Sequence, residues 1–478
     1  MGGQGALHAE SLRAALRAAY ESNPSLDAER ARLRATDEEV PRARSGYRPT
    51  IQGEALVTRS NTNSNPRALG DGGLTSSQIE LNLTQPIFTG FRTTNAVNRA
   101  EARVRAGREN LRQVETTTLF NAATAYMDVI RDQAVLRLRE RNVSVLSREL
   151  EAARARAAVR EVTLTDVSQA RARRARAVAE ADAAKANLRI SRATFRQIIG
   201  HAPGKLRSPS PRMANLPRSL NEALSIADRE SPAIISALFL EQASRYAVEE
   251  VWGELLPTVN LEANYAHQND PSRFIDTTDT ATITGRLTVP LYQAGSVHAR
   301  VRQAKHTHVS TIQEIEKARN QTESNVTAAW SRLVSARAQL SSAQIQVEAA
   351  RTALEGVREE EKVGQRTLLD VLNAEQEFLD AQVARVITRR DLIVASYALL
   401  ASIGRLTAQW IDEISIVYDP DVHYEETRNS WMGVTITHRT EDPELLETVD
   451  VGVPLKENSP QGYDSRGTAV SLFKQTFK

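Results

Sequence analysis

Gln78-Ile79-Glu80-Leu81-Asn82-Leu83-Thr84 alternates polar and apolar side chains without a break, and Gln85-Pro86-Ile87-Phe88 closes it. A period of two puts Ile79, Leu81 and Leu83 on one strand face and Gln78, Glu80, Asn82 and Thr84 on the other. The closing Pro86-Ile87-Phe88 returns 204 positions later as Pro290-Leu291-Tyr292. At the same displacement Thr165-Asp166-Val167 returns as Leu369-Asp370-Val371, and Ile199-Gly200 as Ile403-Gly404. Earlier landmarks, Asn23-Pro24 with Ser231-Pro232 and Arg48-Pro49-Thr50 with Leu256-Pro257-Thr258, lie 208 apart. The chain is therefore a duplication with one small length change between Pro49 and Pro86.

Three further segments alternate in the same way. Ile51, Gly53, Ala55 and Val57 oppose Gln52 and Glu54. Val259, Leu261, Ala263 and Tyr265 oppose Asn260, Glu262 and Asn264. Ile283, Leu287 and Val289, with Gly285, oppose Thr282, Thr284, Arg286 and Thr288. The pattern predicts strands over residues 47–60, 76–88, 256–267 and 281–292. Their connections, residues 59–77 and 266–281, are rich in Asn, Ser, Thr, Asp and Gly and read as exposed loops of unequal length. A half-buried sheet on a soluble core also produces such alternation, but nothing else in the sequence supplies a core to cover these faces. Strands of about ten residues with one apolar and one strongly polar face fit an outer-membrane barrel. Four strands cannot close one, and an open edge is not tolerated in lipid. Two chains give a filled lumen and three give an open twelve-stranded pore.

No proline interrupts the chain between Pro86 and Pro203, or between Pro290 and Pro420. That is what continuous helix requires. Ala122, Val129, Leu136, Val143, Leu150 and Ala157 fall seven apart, and so do Val326, Leu333, Leu340, Val347 and Leu354. Such a seam specifies helices that supercoil about a neighbour. From Thr94 to Ala158 the first helix spans on the order of 95–100 Å at about 1.5 Å per residue. Each long helix ends at a brief interruption, residues 159–163 and 363–367, before helix resumes to Gly200 and Gly404. Thr163 with Asp166 and Thr367 with Asp370 form capping-box signatures at the restart. Each half thus reads as shorter helices, a strand pair and a long helical hairpin.

Composition narrows the function. Lys plus Arg number 61 against 59 Asp plus Glu, leaving a net charge of +2 and no field suited to nucleic acid. The basic run from Arg154 to Arg176 lacks interleaved aromatics and flanks a hairpin tip, so it reads as a solvated or partner-facing surface. Cysteine is absent, and no apolar run reaches the length of a transmembrane helix. The start, Met1-Gly2-Gly3-Gln4-Gly5, has no signal-peptide features. His298, His306 and His308 share a helix without a carboxylate at ligand spacing, so no metal is expected. There is no phosphate loop and no nucleophile motif; no cofactor and no catalysis are expected.

These residues together resemble the TolC family of outer-membrane channel proteins. The resemblance runs from Ser11 to Gly404. It rests on Asn23-Pro24 after a short helix, Gln85-Pro86-Ile87-Phe88 with Gly90 ending a strand, Ala125-Tyr126 in the long helix, and Val363-Gly364 with Thr367 and Asp370-Val371 at the tip. It implies a mainly α fold with a membrane β part: a homotrimer whose helical hairpins form a periplasmic tunnel below a shared twelve-stranded barrel. The expected organisation is a first repeat over 11–204 (helices 11–44, strands 47–60 and 76–88, hairpin 93–200). A second repeat follows over 219–408 (helices 219–251, strands 256–267 and 281–292, hairpin 296–404). A C-terminal segment, 412–478, begins as an equatorial segment and continues as a largely disordered tail.

The implied function is a passive exit duct in the outer membrane of a Gram-negative bacterium, contacting its lipid. It would dock a periplasmic adaptor (membrane fusion) protein and an inner-membrane pump, for efflux or type I secretion. A soluble coiled-coil scaffold is the alternative from another class. By the same resemblance the tips hold the gate: Arg366 links to Thr165 and Asp166, and Asp370 forms an acidic ring. Glu361 and Asn373 depart from the family's tyrosine and second aspartate, so one closing link is expected to be lost and cation selectivity to fall. Val159, Arg160, Val363, Gly364 and Thr367 form the adaptor-docking tips. Because Arg160 stands where the second half has Gly364, the first tip is expected either to turn differently or to aim Arg160 at the adaptor.

Overall fold

The computed structural model describes residues 9–63, 72–210, 216–411 and 417–434. The chain divides into two units, Met1–Tyr418 and Asp419–Lys478. In the second, the described residues hold one short helix, Pro420–Thr427, capped by the Asp419 side chain. Most of the expected disordered tail lies outside the described residues.

The first unit repeats one plan twice. Helix α1 (Leu12–Ser22) is capped by Ser11, and Asn23 both ends it and caps α2 (Pro24–Asp37). The helix expected to run on to residue 44 breaks at Glu38, and α3 (Glu39–Arg44) follows. Pro41 explains the break, since its ring excludes the carbonyl four residues back and it has no N–H to donate. The second half has Glu249 there, and its helix is unbroken: α6 (Leu220–Glu230) is followed by α7 (Pro232–Trp252).

The strands are β1 (Thr50–Thr62), β2 (Gly72–Phe88), β3 (Thr258–Ser272) and β4 (Ile275–Thr288). They form one antiparallel sheet in chain order, leaving β1 and β4 as its edges. Among the described residues both expected loops are largely strand; β3 and β4 join across residues 273–274 alone. The alternation that locates the strands stops where the apolar face stops. The ladder continues through Thr-, Ser- and Asn-rich sequence, because threonine suits a strand without being apolar.

Two helices of 67 residues each, α4 (Arg92–Ala158) and α8 (Ser296–Lys362), match in length across the repeat. Each extends about 100 Å at about 1.5 Å per residue. They pair with α5 (Leu164–Ile199) and α9 (Leu368–Ser402). The seven-residue seam is the buried one: Ala122, Val129, Leu150, Val326, Leu333, Val347 and Leu354 are all inside. The largest core lies midway along the long helices, where α1, α2 and α6 wrap them around Tyr126, Phe195, Leu333 and Leu399. There the Tyr126 hydroxyl lies 2.7 Å from the carbonyls of both Glu10 and Arg207 and pins the first described residues to the body.

Candidate functional site

Two regions carry functional chemistry, the sheet and the hairpin tips. The register of the sheet aligns like with like on all four strands. Ile51 pairs with Leu83, Leu81 with Tyr265, and Ala263 with Ile283. The other face carries Gln52 opposite Asn82, Asn82 opposite Asn264, and Asn264 opposite Thr282. A one-residue slip in any pair would mix the faces, so the pattern specifies the register. The apolar face is exposed in the single chain, with Ile283 79% accessible. Tyr47, Phe88, Phe91, Trp252 and Tyr292 gather where the strands meet the helices, as an interfacial aromatic belt does.

The polar face is cross-linked by side chains. Asn264 donates to Asn82 (2.7 Å) and to Glu80, Gln78 donates to Glu80 (2.8 Å), and Gln268 donates to Gln78 (3.0 Å). Arg286 forks onto both oxygens of Glu262 at 2.7 and 2.9 Å. Glu54 sits directly opposite Glu80.

At the junction of sheet and helices the repeats meet backbone to backbone. A Cβ on Gly90 would lie 2.5 Å from the Gly253 carbonyl oxygen, and Gly90 has φ +64°. Only glycine permits that approach.

The two tips are built alike. After α4, Arg160 donates its N–H to the Ala157 carbonyl (3.1 Å) and Glu161 to that of Arg156 (3.0 Å). After α8, Gly364 donates to Glu361 and Gln365 to Glu360, both at 2.9 Å. Both are Schellman turns. Of the two alternatives for the first tip, a different turn falls: Arg160 takes φ +62°, close to the +78° of Gly364. Arginine bears the steric cost that glycine avoids. Val159 and Val363 are exposed beside these turns. Both capping boxes form, and the Thr163 and Thr367 backbone N–H groups hold the Asp166 and Asp370 carboxyls below the usual carboxylate range.

The residues expected at the gate fall into pairs not foreseen from sequence. Arg366 bonds Glu360 at 2.8 Å, within its own hairpin, and in the single chain it reaches neither Thr165 nor Asp166. Glu361, expected to forgo a closing link, takes Arg156 of α4 at 2.6 Å. Asn373 accepts from Arg173 of α5 at 2.5 Å, and the same guanidinium reaches the Leu372 carbonyl at 3.4 Å. Arg358 of α8 bonds Glu375 of α9. Glu149 of α4 is raised, first by burial and then by Glu375; Arg358 and Arg156 pull it down, and Glu361 pushes it up. Arg156, Arg173, Arg358, Glu149 and Glu375 were missed as site residues. Contacts about two hundred positions apart reveal Arg156 and Arg173, whereas Arg358 and Glu375 lie only 17 positions apart; their complementary charge was visible. His308, weighed as a metal ligand, faces Ser244 (2.9 Å) and Glu241 (3.5 Å).

A two-faced sheet with open edges, set on paired helices about 100 Å long, defines a membrane-seated duct rather than a catalyst. No helix among the described residues is long and apolar enough to cross a membrane; the sheet is the part with a lipid-compatible face. The family model for outer membrane efflux proteins matches residues 15–201 and 223–405, one match per repeat. The chain belongs to that family. It is 38% identical over 434 residues to the outer membrane efflux protein BepC of Brucella suis, covering 90% of this chain and 93% of that protein. It is 24% identical to the outer membrane protein TolC of Salmonella enteritidis, over 97% of this chain and 92% of that one. The outer membrane channel CmeC of Campylobacter jejuni has the same fold, with a TM-score of 0.76 at 17% identity over 87% of this chain and 89% of CmeC. The protein is therefore an outer-membrane transport channel of the efflux and secretion kind, not an enzyme. The soluble-scaffold alternative falls.

Proposed function

We propose that three copies of the chain close one twelve-stranded barrel, β4 of each copy pairing with β1 of the next. The single observation carrying this reading is a sheet with two unpaired edges and a continuous apolar face. Unpaired backbone groups cost several kcal/mol each in lipid, so closure by other copies is required. The apolar face then meets outer-membrane lipid, and the Asn, Gln, Thr and Glu face lines a wet lumen. Strands of 13 to 17 residues exceed the roughly ten needed to cross, so the barrel projects beyond the bilayer.

Below it, the hairpins form a periplasmic tunnel. Its tips, with Val159, Arg160, Val363, Gly364 and Thr367 outermost, dock a periplasmic adaptor that connects an inner-membrane pump. The pump supplies the energy; the duct conducts passively. A gate at the tips uses Asp370, Asn373, Arg366, Thr165, Asp166 and Glu361. Arg366 is held by an exposed pair with Glu360, which solvent screens. That weak hold leaves it free to reach Thr165 and Asp166 of a neighbouring copy. Small toxic solutes are the favoured cargo over polypeptide, because the 38%-identical relative is by name an efflux protein.

The test is the native mass of the detergent-extracted protein. A particle of three 52.8 kDa chains is expected; a monomer, or a protein soluble without detergent, contradicts the reading. A deletion strain then separates cargoes. Drug sensitivity with normal secretion marks efflux, and missing secreted proteins mark secretion.

A further inference from the structure

We propose that Arg59 seats the phosphate of an outer-leaflet lipid on the outside of the barrel, one site per chain and three per closed pore. The inference rests on the channel reading above and adds a lipid contact to it.

The first observation is height. Arg59 lies nine positions past Thr50, the first residue of β1. At about 3.3 Å per residue and a tilt of about 35–45°, it stands roughly 21–25 Å above the start of the strand. That is the far edge of an apolar band about 25 Å tall. The side chains agree: Ile51, Gly53, Ala55 and Val57 share one face of β1, and Arg59 follows them on the same alternation. A lipid whose chains lie along this row brings its headgroup to the guanidinium.

The second is chemistry. Thr75 stands directly opposite Arg59 and is exposed, and Ser77 stands opposite Val57. Asn269 donates to Ser77 Oγ at 3.4 Å, which leaves the Ser77 O–H to donate in turn. A planar guanidinium beside two hydroxyls is a donor set for phosphate, and all three groups share the outward face. Glu54 and Glu80 lie on the other face, and no ion pair forms on Arg59 among the described residues.

The third is the contrast between the repeats. The equivalent of Arg59, 208 positions on, is His267, nine positions past Thr258. There the basic group is already answered. Asp279 stands opposite, its Oδ1 2.8 Å from His267 Nδ1, and Tyr265 donates its hydroxyl to the same oxygen at 3.1 Å. At a displacement of 204, Thr75 takes the place of that aspartate. The seam between copies supplies no counter-charge either. Ile79 pairs with His267; their repeat equivalents, Ile283 and Arg59, would meet where β4 of one copy joins β1 of the next. Of the two equivalent positions only Arg59 is left uncompensated, which sets the stoichiometry at three per pore.

Native mass spectrometry of the detergent-extracted trimer tests this with dioleoyl phosphatidylglycerol and, as a phosphate-free lipid, digalactosyl diacylglycerol. The wild type should retain up to three phosphatidylglycerols under conditions that strip the galactolipid. Arg59→Gln should weaken that retention about tenfold, by loss of a charge-assisted fork, and Arg59→Lys should weaken it less. His267→Gln with Asp279→Asn should leave it within about twofold, because those groups are distant and already paired. Equal retention of both lipids by the wild type overturns the proposal, as does an Arg59→Gln trimer that holds phosphatidylglycerol as well as the wild type does. Displacement of the lipid by an equal concentration of inorganic phosphate overturns it too, since that marks a free-ion site. A wild type that is not trimeric overturns the channel reading itself, whereas a trimer indifferent to the headgroup overturns the lipid seat alone.

Discussion

At the scale of single residues, the tips show how a duplicated sequence is made to serve two purposes. Arg160 and Gly364 occupy the same left-handed turn, and arginine there costs roughly 1 kcal/mol more than glycine. Arg160→Gly should stabilise the first tip by about that amount and slow hydrogen exchange at the Glu161 amide. Gly364→Ala should speed exchange at the matching Gln365 amide. This turn was not legible in sequence, because arginine carries no left-handed signal; only the bonds to Ala157 and Arg156 disclose it.

Glu149 makes a second residue-level prediction. Burial raises its carboxyl, helped by Glu375 and Glu361 and opposed by Arg358 and Arg156. A carboxyl raised by folding contributes most below its unfolded pKa, and the contribution fades as pH rises through the folded value. The tip should therefore tighten as pH falls from neutral into the upper carboxylate range. The capping aspartates Asp166 and Asp370 run the other way: their contribution is lost only as pH falls through their lowered values. Both caps thus survive in that window. Channel conductance should decline on mild acidification, and Glu149→Gln should flatten the dependence.

At the scale of elements, the helices were the most legible part. The seven-residue spacing identified the seam, and Leu333, in that seam, is 1% exposed. Leu333→Ala should cost about 2–5 kcal/mol, read as a lowered thermal midpoint of the detergent-extracted protein. The proline-free gaps also bounded α4 and α8 closely. Pro41 was as visible as those gaps, yet a helix was expected to continue past it to residue 44. The strand ends were less legible. Apolar alternation reports the apolar face and falls silent where both faces become polar, so the polar end of β3 and the Thr-rich start of β4 were read as loop. The register, by contrast, follows from the alternation already visible at Ile51, Leu83, Tyr265 and Ile283.

At the scale of the whole molecule, the repeat, the family and the duct were legible before any contact was known. The partners of the proposed gate residues were not, because Arg156 and Glu361 are 205 positions apart and one sequence carries no pairing information. The assembled barrel makes its own prediction. Arg286 neutralises Glu262, whereas Glu80 accepts only from the neutral Gln78 and Asn264, and no ion pair forms on Glu54 or Glu80 among the described residues. Cation preference should thus reside in the barrel as much as at the tips. Glu54→Gln with Glu80→Gln should move the reversal potential in a salt gradient toward zero and leave the trimer intact.

The central claim is that copies of this chain form one continuous pore through a shared barrel, and current through a planar bilayer tests it most directly. Purified protein added to one side should produce discrete current steps of a single size, carried by a trimeric fraction. A trimeric, folded protein that leaves the bilayer silent, or a monomer that conducts alone, would contradict it.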